Sequence, residues 1–168
     1  MSKIIKHRSI VDDAWTLLRL DAGQSAATVT LPAGPVIVPL VVWQERRAEL
    51  ASRPQRAVWL AGNEGPELLG EDLAQFDLIA IDFPKFADGR GYSIARLLRE
   101  RYDYQGEVRA IGDVLRDQLF FMSRVGFDAF AVRADKDIDN ALTAFADFPD
   151  AYQTGVDQPL PLFRRSAA

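Results

Sequence analysis

The sequence predicts an α/β domain built on a mainly parallel sheet of about four βα units. Four short apolar runs each precede a segment whose apolar residues recur at helical spacing. Runs that are apolar at every position are typical of strands buried on both faces, as in parallel sheets joined by right-handed helical crossovers. With 168 residues, of which 48% are hydrophobic and 26% charged, the chain is long enough for one domain with its own core.

The first 35 residues follow a different pattern. Residues 3–10 and 15–20 are partly apolar stretches on either side of Asp12 and Asp13, which predicts a hairpin, and residues 21–35 continue as a loop. We expect this region to be an appendage of the core. The expected divisions of the single domain are a hairpin and loop at 1–35, an α/β core at 36–148 and an extended tail at 149–168.

The core is predicted to begin with a helix. Pro39 fits the first position of a helix because the N–H that proline lacks would be unpaired there, and Leu40, Trp43 and Leu50 then repeat on one face. Four strand–helix units follow this helix. Their strands are predicted near 57–61, 78–82, 108–111 and 129–133, and their helical segments at 66–76, 94–102, 114–125 and 138–145.

Four βα units fit two shapes of sheet. They form either half of a (βα)₈-type barrel or an open, flavodoxin-like sheet, and periodicity does not separate the two. A half barrel on its own leaves two unpaired edges. We therefore favour an open or partly curved sheet.

Charge and residue usage exclude several classes of partner and cofactor. The chain has 20 Lys and Arg against 24 Asp and Glu, a net charge of −4, which argues against nucleic acid or an anionic membrane as a partner. The absence of cysteine excludes disulfides, thiolate nucleophiles and Fe–S clusters. We expect no metal and no cofactor, and we expect His7, the single histidine, to be structural or exposed.

The sequence has no pattern typical of targeting or membrane insertion. The N-terminus carries Lys3, Lys6 and Arg8 without the apolar stretch of a signal peptide. The longest apolar run, 36–43, contains Pro39 and is far shorter than the ~20 residues that cross a bilayer. We expect a cytoplasmic protein.

Candidate binding residues cluster in the loops that follow the predicted strands. In parallel α/β sheets ligands bind beyond the carboxyl ends of the strands, so polar side chains in these four loops should share one rim. The candidates are Asp82, Lys85, Asp88, Arg90, Tyr92, Ser93, Asp113, Arg133, Asp135 and Lys136.

The segment 86–93 is the most informative of these loops. Gly89 and Gly91 permit unusual backbone dihedrals directly before a predicted helix, whose first amide groups and partial positive charge favour an anion. Arg90 adds a guanidinium suited to phosphate, sulfate or carboxylate. We expect an anion site formed by Arg90, Gly91, Tyr92 and Ser93, with Arg133 or Lys136 as second contacts. The alternative is a tight turn in which Asp88 and Ser93 cap backbone amides.

Two pairs of carboxylates have the spacing of candidate metal or acid–base groups. Asp113 and Asp117 are four residues apart, and Asp135 and Asp137 are two apart. Each pair stands at the start of a predicted helix, which favours N-capping and first-turn charge. We expect these carboxylates to pair with the nearby arginines and lysine rather than to hold Mg²⁺.

Four segments of the core are distinctive when taken together. They are Asp82-Phe83-Pro84-Lys85-Phe86, Asp88-Gly89-Arg90-Gly91-Tyr92-Ser93-Ile94-Ala95-Arg96, Gly112-Asp113-Val114-Leu115-Arg116-Asp117-Gln118 and Gly126-Phe127-Asp128-Ala129-Phe130. These motifs resemble a bacterial domain-of-unknown-function family whose members are often labelled oxidoreductases involved in sulfite reduction, and the resemblance spans most of residues 36–152. The resemblance implies a role in assimilatory sulfite reduction, together with sulfite reductase.

Three functions stay open. An oxidoreductase would need a bound flavin or the cofactor of a partner, because the chain has no Cys, no haem motif and no dinucleotide fingerprint. We therefore favour an accessory protein of assimilatory sulfite reduction that binds a small anion or a sulfite reductase component. The alternatives are an enzyme acting on a phosphorylated or sulfated small molecule at the rim, and a structural partner without a ligand pocket.

The tail at 149–168 is expected to be extended, because its prolines forbid a continuous helix. Leu160, Leu162 and Phe163 would gain free energy by burial, which favours docking on the same domain or on a second subunit of a homo-oligomer. The alternative is a disordered terminus.

Overall fold

The computed structural model describes residues 2–85 and 89–147. Within these ranges one sheet contains eight strands, with six α-helices and one 3₁₀ segment. The strands are β1 (Lys3–Lys6), β2 (Ser9–Asp12), β3 (Thr16–Leu17), β4 (Val36–Pro39), β5 (Ala57–Leu60), β6 (Leu78–Phe83), β7 (Glu107–Gly112) and β8 (Ala129–Phe130). The helices are α1 (Leu40–Glu45), α2 (Arg47–Ala51), α3 (Arg90–Glu100), α4 (Arg116–Val125), α5 (Ile138–Leu142) and α6 (Ala144–Asp147), and the 3₁₀ segment is Pro66–Gln75.

The α/β class and the parallel arrangement of the four predicted strands are confirmed. The order across the sheet is β2-β1-β8-β7-β6-β5-β4-β3, and every pairing from β3 to β8 is parallel. The predicted number of four strands is wrong, because β3 and β4 extend the parallel sheet and the N-terminal hairpin adds two more strands. Strand β4 escaped prediction because it runs directly into α1. Strand β3 falls within the stretch 15–20 that was predicted as the second strand of the hairpin, but it pairs parallel with β4 instead.

The sheet is curled into a half barrel. Its two edge strands, β2 and β3, are consecutive in the chain and are joined by residues 13–15 alone. A connection of that length spans at most about 14 Å, whereas the edges of a flat eight-stranded sheet would lie roughly 34 Å apart. The sheet must therefore curve until its edges approach each other, which decides between the two shapes that the sequence left open.

The N-terminal hairpin turns at a different place from the one predicted. A hairpin is present, but its turn is formed by His7 and Arg8 rather than by Asp12 and Asp13. Both turn residues have positive φ angles, 48° and 61°, as a two-residue type I′ turn requires. The turn lies against the domain, since the His7 amide donates to the Asp128 carbonyl.

The hairpin is part of the sheet. Strand β1 pairs antiparallel with β8, and Ile5 is fully buried in the main core. This core lies between one face of the sheet and the helices, as expected when every crossover between neighbouring parallel strands has the same hand.

The helix-free face holds a smaller apolar cluster and a charged network. Ile37, Leu78 and Ile111 are among the buried residues of the cluster. The buried Arg109 guanidinium donates to Glu107 at 2.7 Å and to Asp13 at 3.0 Å. Because Asp13 belongs to the connection between β2 and β3, this network fastens the N-terminal segment to β7.

Several helix boundaries differ from the predictions, and the helix predicted at 138–145 is divided into α5 and α6. The first helix is divided into α1 and α2 at Arg46, and the segment predicted as a helix at 66–76 is a 3₁₀ segment interrupted at Gly70, whose φ is 52°. The buried Asp72 carboxylate accepts from the Trp43 indole at 2.9 Å and thereby joins these two regions. None of the helices in the described part of the chain is long and apolar enough to span a membrane.

Gly91 sets how closely α3 approaches β6, and we predict that Gly91→Ala destabilises the protein by about 1–3 kcal/mol. A Cβ at this position would lie 2.6 Å from the Phe83 ring and 2.9 Å from the Ile81 side chain. The free energy of urea-induced unfolding measures the effect.

Gly89→Ser is the control, because the contact of a Cβ at Gly89 with the described residues is the edge of the Tyr92 ring, at 3.9 Å. It should change the free energy of unfolding by no more than about 0.5 kcal/mol. Equal stabilities of the two variants would contradict the close packing of α3 on β6.

Candidate functional site

A pocket lies at the carboxyl ends of the parallel strands. It has a volume of about 540 Å³. Its walls come from the ends of β6 and β7, from the loop after β8 and from the segment after β3. The lining residues are Arg19, Asp82, Phe83, Pro84, Gly112, Asp113 and Arg133. We call this cavity the rim pocket.

An arginine from the N-terminal segment pairs with a carboxylate at the end of β6. Arg19 donates to both oxygens of Asp82, with N–O distances of 2.7 and 3.3 Å. The Asp82 side chain is 10% exposed and that of Arg19 is 44% exposed. The guanidinium therefore covers the carboxylate and keeps a face toward the pocket and solvent.

Trp59 on β5 supports this arginine. The Arg19 guanidinium stacks over the indole at 5.0 Å from the ring centroid. The indole N–H donates to the Leu18 carbonyl at 2.9 Å, which fixes the backbone next to Arg19. The guanidinium is thus held from two sides before any ligand enters.

Gly112 ends β7 with a φ of +90°, a conformation that other residues rarely adopt. A Cβ on Gly112 would lie 2.5 Å from the Phe83 carbonyl oxygen and 2.6 Å from Asp82 Oδ1. The next amide, that of Asp113, donates to the same Phe83 carbonyl at 2.7 Å. Glycine is needed here because the chain turns directly against the Asp82 carboxylate.

Asp113 faces the pocket rather than capping α4. The helix begins at Arg116, three residues later, and the Leu115 amide is bound by the Gln118 side chain instead. The Asp113 carboxylate accepts from Arg133 at 2.7 Å. The expectation that Asp113 is an N-cap is wrong, whereas the expected capping role of Asp137 at α5 is confirmed.

Arg133 holds two carboxylates at once. It donates to Asp113 and, through Nε and NH2, to both oxygens of Asp135 at 2.6 and 2.7 Å. Hydrogen bonds from this guanidinium lower the pKa of Asp135 to about 2. They also raise the pKa of Arg133 itself. The expected ion pairing of these aspartates is confirmed.

The start of α3 borders the rim pocket through Phe83. The Phe83 backbone is part of the pocket wall, while its ring packs under the buried Gly91 and lies 5.4 Å from the Tyr92 ring. Burial raises the pKa of the Tyr92 hydroxyl, which hydrogen-bonds with Gln118. Arg90 and Ser93 are exposed on the first turn of α3.

Among the described residues, the remaining rim candidates do not line the pocket. Lys85 is exposed just after β6, and Asp88 lies outside the described residues. Lys136 is 4.0 Å from Asp135 but lines a separate cavity of about 230 Å³ between α4 and α5. The structure therefore gathers Asp82, Asp113 and Arg133 into the pocket and leaves the other described candidates outside its lining.

A second large cavity, about 370 Å³ in volume, lies at the opposite end of the sheet. Its main polar group, Arg99, donates to the carbonyls of Tyr104, Gly106 and Gly126 at 2.8–3.0 Å. Because this guanidinium joins α3, α4 and the chain entering β7, the cavity is a structural junction rather than the better candidate site.

Arg19 is the pocket residue that sequence reasoning missed. It stands between Leu18 and Leu20, both of which pack against the main core, so alternation directs Arg19 to the opposite face. This alternation can be read from the sequence. The sequence does not show that Arg19 pairs with Asp82 on β6, which is 63 residues away.

The charges of the rim pocket determine its chemistry. Among its described lining residues two guanidinium groups face two carboxylates, and every one of the four has a partner. A ligand must therefore share these guanidinium groups with the carboxylates or displace a carboxylate from one of them. Within the described ranges no group of three or more carboxylate or histidine side chains is positioned to hold a metal ion.

We predict that Gly112→Ala destabilises the protein by more than the roughly 1–2 kcal/mol that left-handed backbone strain alone costs. The added methyl group must also displace the Phe83 carbonyl or the Asp82 carboxylate. Chemical unfolding measures the loss.

Gly34→Ala is the matched control, because Gly34 has a φ of +81° but no atom of the described residues lies within 4 Å of an added Cβ. The difference in unfolding free energy between the two variants measures the contact of the added methyl group with the Phe83 carbonyl and the Asp82 carboxylate. A Gly34→Ala variant as unstable as Gly112→Ala would contradict it.

Comparison with known proteins places this site within a family. A family model described as "Bacterial protein of unknown function (DUF934)" matches residues 57–163. No curated protein and no solved structure matches the chain significantly. The matched range contains Asp82, Gly112, Asp113 and Arg133, whereas Arg19 precedes it. Because the match covers more than half of the chain, the protein belongs to the bacterial family of unknown function DUF934.

Proposed function

We propose that this protein is an accessory protein of assimilatory sulfite reduction that binds a small oxyanion in the rim pocket. The observation that carries the proposal is the pair of arginines, Arg19 and Arg133, that line one pocket at the carboxyl ends of parallel strands. The role in sulfite reduction rests on the family resemblance of the sequence motifs.

The geometry of the arginines supports an oxyanion as ligand. Each guanidinium binds a carboxylate through planar, charge-assisted hydrogen bonds, and sulfate, sulfite and phosphate oxygens suit the same donors. The exposed Arg90 and Ser93 at the start of α3 would supply outer contacts, because Phe83 joins that helix to the pocket wall. Lys136 would contribute only its charge.

The same carboxylates compete with an anion. Asp113 occupies Arg133, and Asp82 occupies Arg19. A small anion shares each guanidinium with an aspartate or displaces that aspartate, so its affinity should be modest and its release easy. Those properties suit a protein that delivers or senses an anion for a partner.

An accessory role fits the chemistry of the chain better than an independent redox enzyme. The sequence contains no cysteine, so electrons for sulfite would have to come from a bound cofactor or from a partner. We propose a sulfite reductase component as that partner.

The alternative is an enzyme acting on a phosphorylated or sulfated small molecule. The volume of the rim pocket, about 540 Å³, exceeds the needs of an inorganic anion and favours this candidate. The carboxylates of the pocket do not favour an enzyme, because both oxygens of Asp82 are bound by Arg19 rather than directed at a substrate.

Isothermal titration with sulfite, sulfate and phosphate tests the binding step. We predict that Arg133→Gln weakens binding by about tenfold or more, because a charged hydrogen-bond donor is lost. Asp113→Asn should tighten binding, because it releases the Nη1 group of Arg133, while Asp135 keeps the Nε and Nη2 groups. Arg96→Gln is the control, since Arg96 lies on the exposed side of α3 and pairs only weakly with Glu100, at 3.5 Å.

Unchanged affinity in both Arg133→Gln and Asp113→Asn would contradict the proposed site. A sulfite reduction assay with purified reductase separates the two roles. The accessory role predicts a faster reaction when the wild-type protein is added and a smaller gain with Arg133→Gln. Turnover of 4-nitrophenyl sulfate or 4-nitrophenyl phosphate by the protein alone would favour the enzyme instead.

A further inference from the structure

We infer that Arg19 of the N-terminal segment is the residue that makes the rim pocket selective for anions and binds the anion directly. The inference rests on the proposed function, because it concerns the same pocket. It assigns a binding role to a residue outside the range matched by the family model, which begins at residue 57.

Arg19 is held in place, but not all of its N–H donors are bound by the described residues. Its contacts with Asp82 engage one N–H on each terminal nitrogen, and its ring contact with Trp59 uses the face of the guanidinium. A guanidinium has five N–H donors. Within the described part of the chain, three of them are left for a ligand or water.

Arg19 is more exposed than the carboxylate with which it pairs. The Asp82 carboxylate lies beneath Arg19 and is almost fully covered, whereas Arg19 is nearly half exposed. An incoming anion therefore meets the guanidinium before the carboxylate. It also meets a preorganised donor, because the Trp59 indole holds the Leu18 carbonyl next to it.

The net charge of the pocket lining depends on Arg19. With Arg19 present, the described lining of the pocket carries two positive and two negative charges. Without Arg19, Asp82 and Asp113 would face Arg133 alone, and Arg133 is also bound by Asp135. The pocket lining would then carry a net negative charge and repel anions, so the pocket needs Arg19 to bind them.

Three variants separate direct contact from simple charge balance. Arg19→Gln removes the charge, Arg19→Lys keeps the charge without the planar fork, and Arg19→Gln combined with Asp82→Asn removes the ion pair while leaving the pocket charge balanced. The combined variant also leaves no uncompensated carboxylate, so its affinity tests the inference even where Arg19→Gln alone is destabilised. Arg96→Gln is again the matched control, and thermal unfolding verifies the fold of each variant.

Isothermal titration with sulfite, sulfate and phosphate gives the readout. We expect wild type and Arg96→Gln to bind alike, Arg19→Gln to bind at least about tenfold more weakly and Arg19→Lys to lie between them. The combined variant should still bind the anions weakly, because it lacks the Arg19 guanidinium that binds them.

Two results would overturn the inference alone: wild-type affinity in Arg19→Gln, or recovery of wild-type affinity in the combined variant, which would reduce Arg19 to a counter-charge for Asp82. A wild-type protein that binds none of the three anions would overturn both this inference and the proposed function.

Discussion

The short connection between the two edge strands governs the shape of this protein and the place of its pocket. Because residues 13–15 alone join β2 to β3, the eight-stranded sheet must curl. Curling also brings the segment after β3 toward the end of β6, from which two intervening strands would separate it by roughly 14 Å in a flat sheet. Arg19 crosses that distance over Trp59 and reaches Asp82.

The helix-free face of the sheet is held by charges as well as by apolar packing. Arg109 is almost fully buried between Glu107 and Asp13, while Arg19 covers Asp82 nearer the rim. Buried charges are tolerated only when they are paired, and removing one partner of such a pair costs several kcal/mol, typically about 3–5. Both pairs join the N-terminal segment to the central strands, so this segment is fastened at the middle of the sheet and at its rim.

The rim pocket combines a fixed backbone with exchangeable charges. Gly112 leaves room for the Asp82 carboxylate beside the turn after β7, and Arg133 divides its donors between Asp113 and Asp135. A pocket whose arginines are already paired favours ligands that can replace a carboxylate. This is the physical basis on which we propose a small oxyanion as ligand rather than an apolar molecule.

The sequence by itself determined the α/β class, the four parallel strands from β5 to β8 and the edge of the sheet at which Asp82, Asp113 and Arg133 lie, because these depend on local periodicity and on the direction of parallel strands. Only the tertiary structure decided the curl of the sheet and the pairing of Arg19 with Asp82. Both depend on contacts between residues far apart in the chain, and β3 is too short to have a period of its own. Alternation could show that Arg19 leaves the core, but only the curled sheet determines which carboxylate it meets.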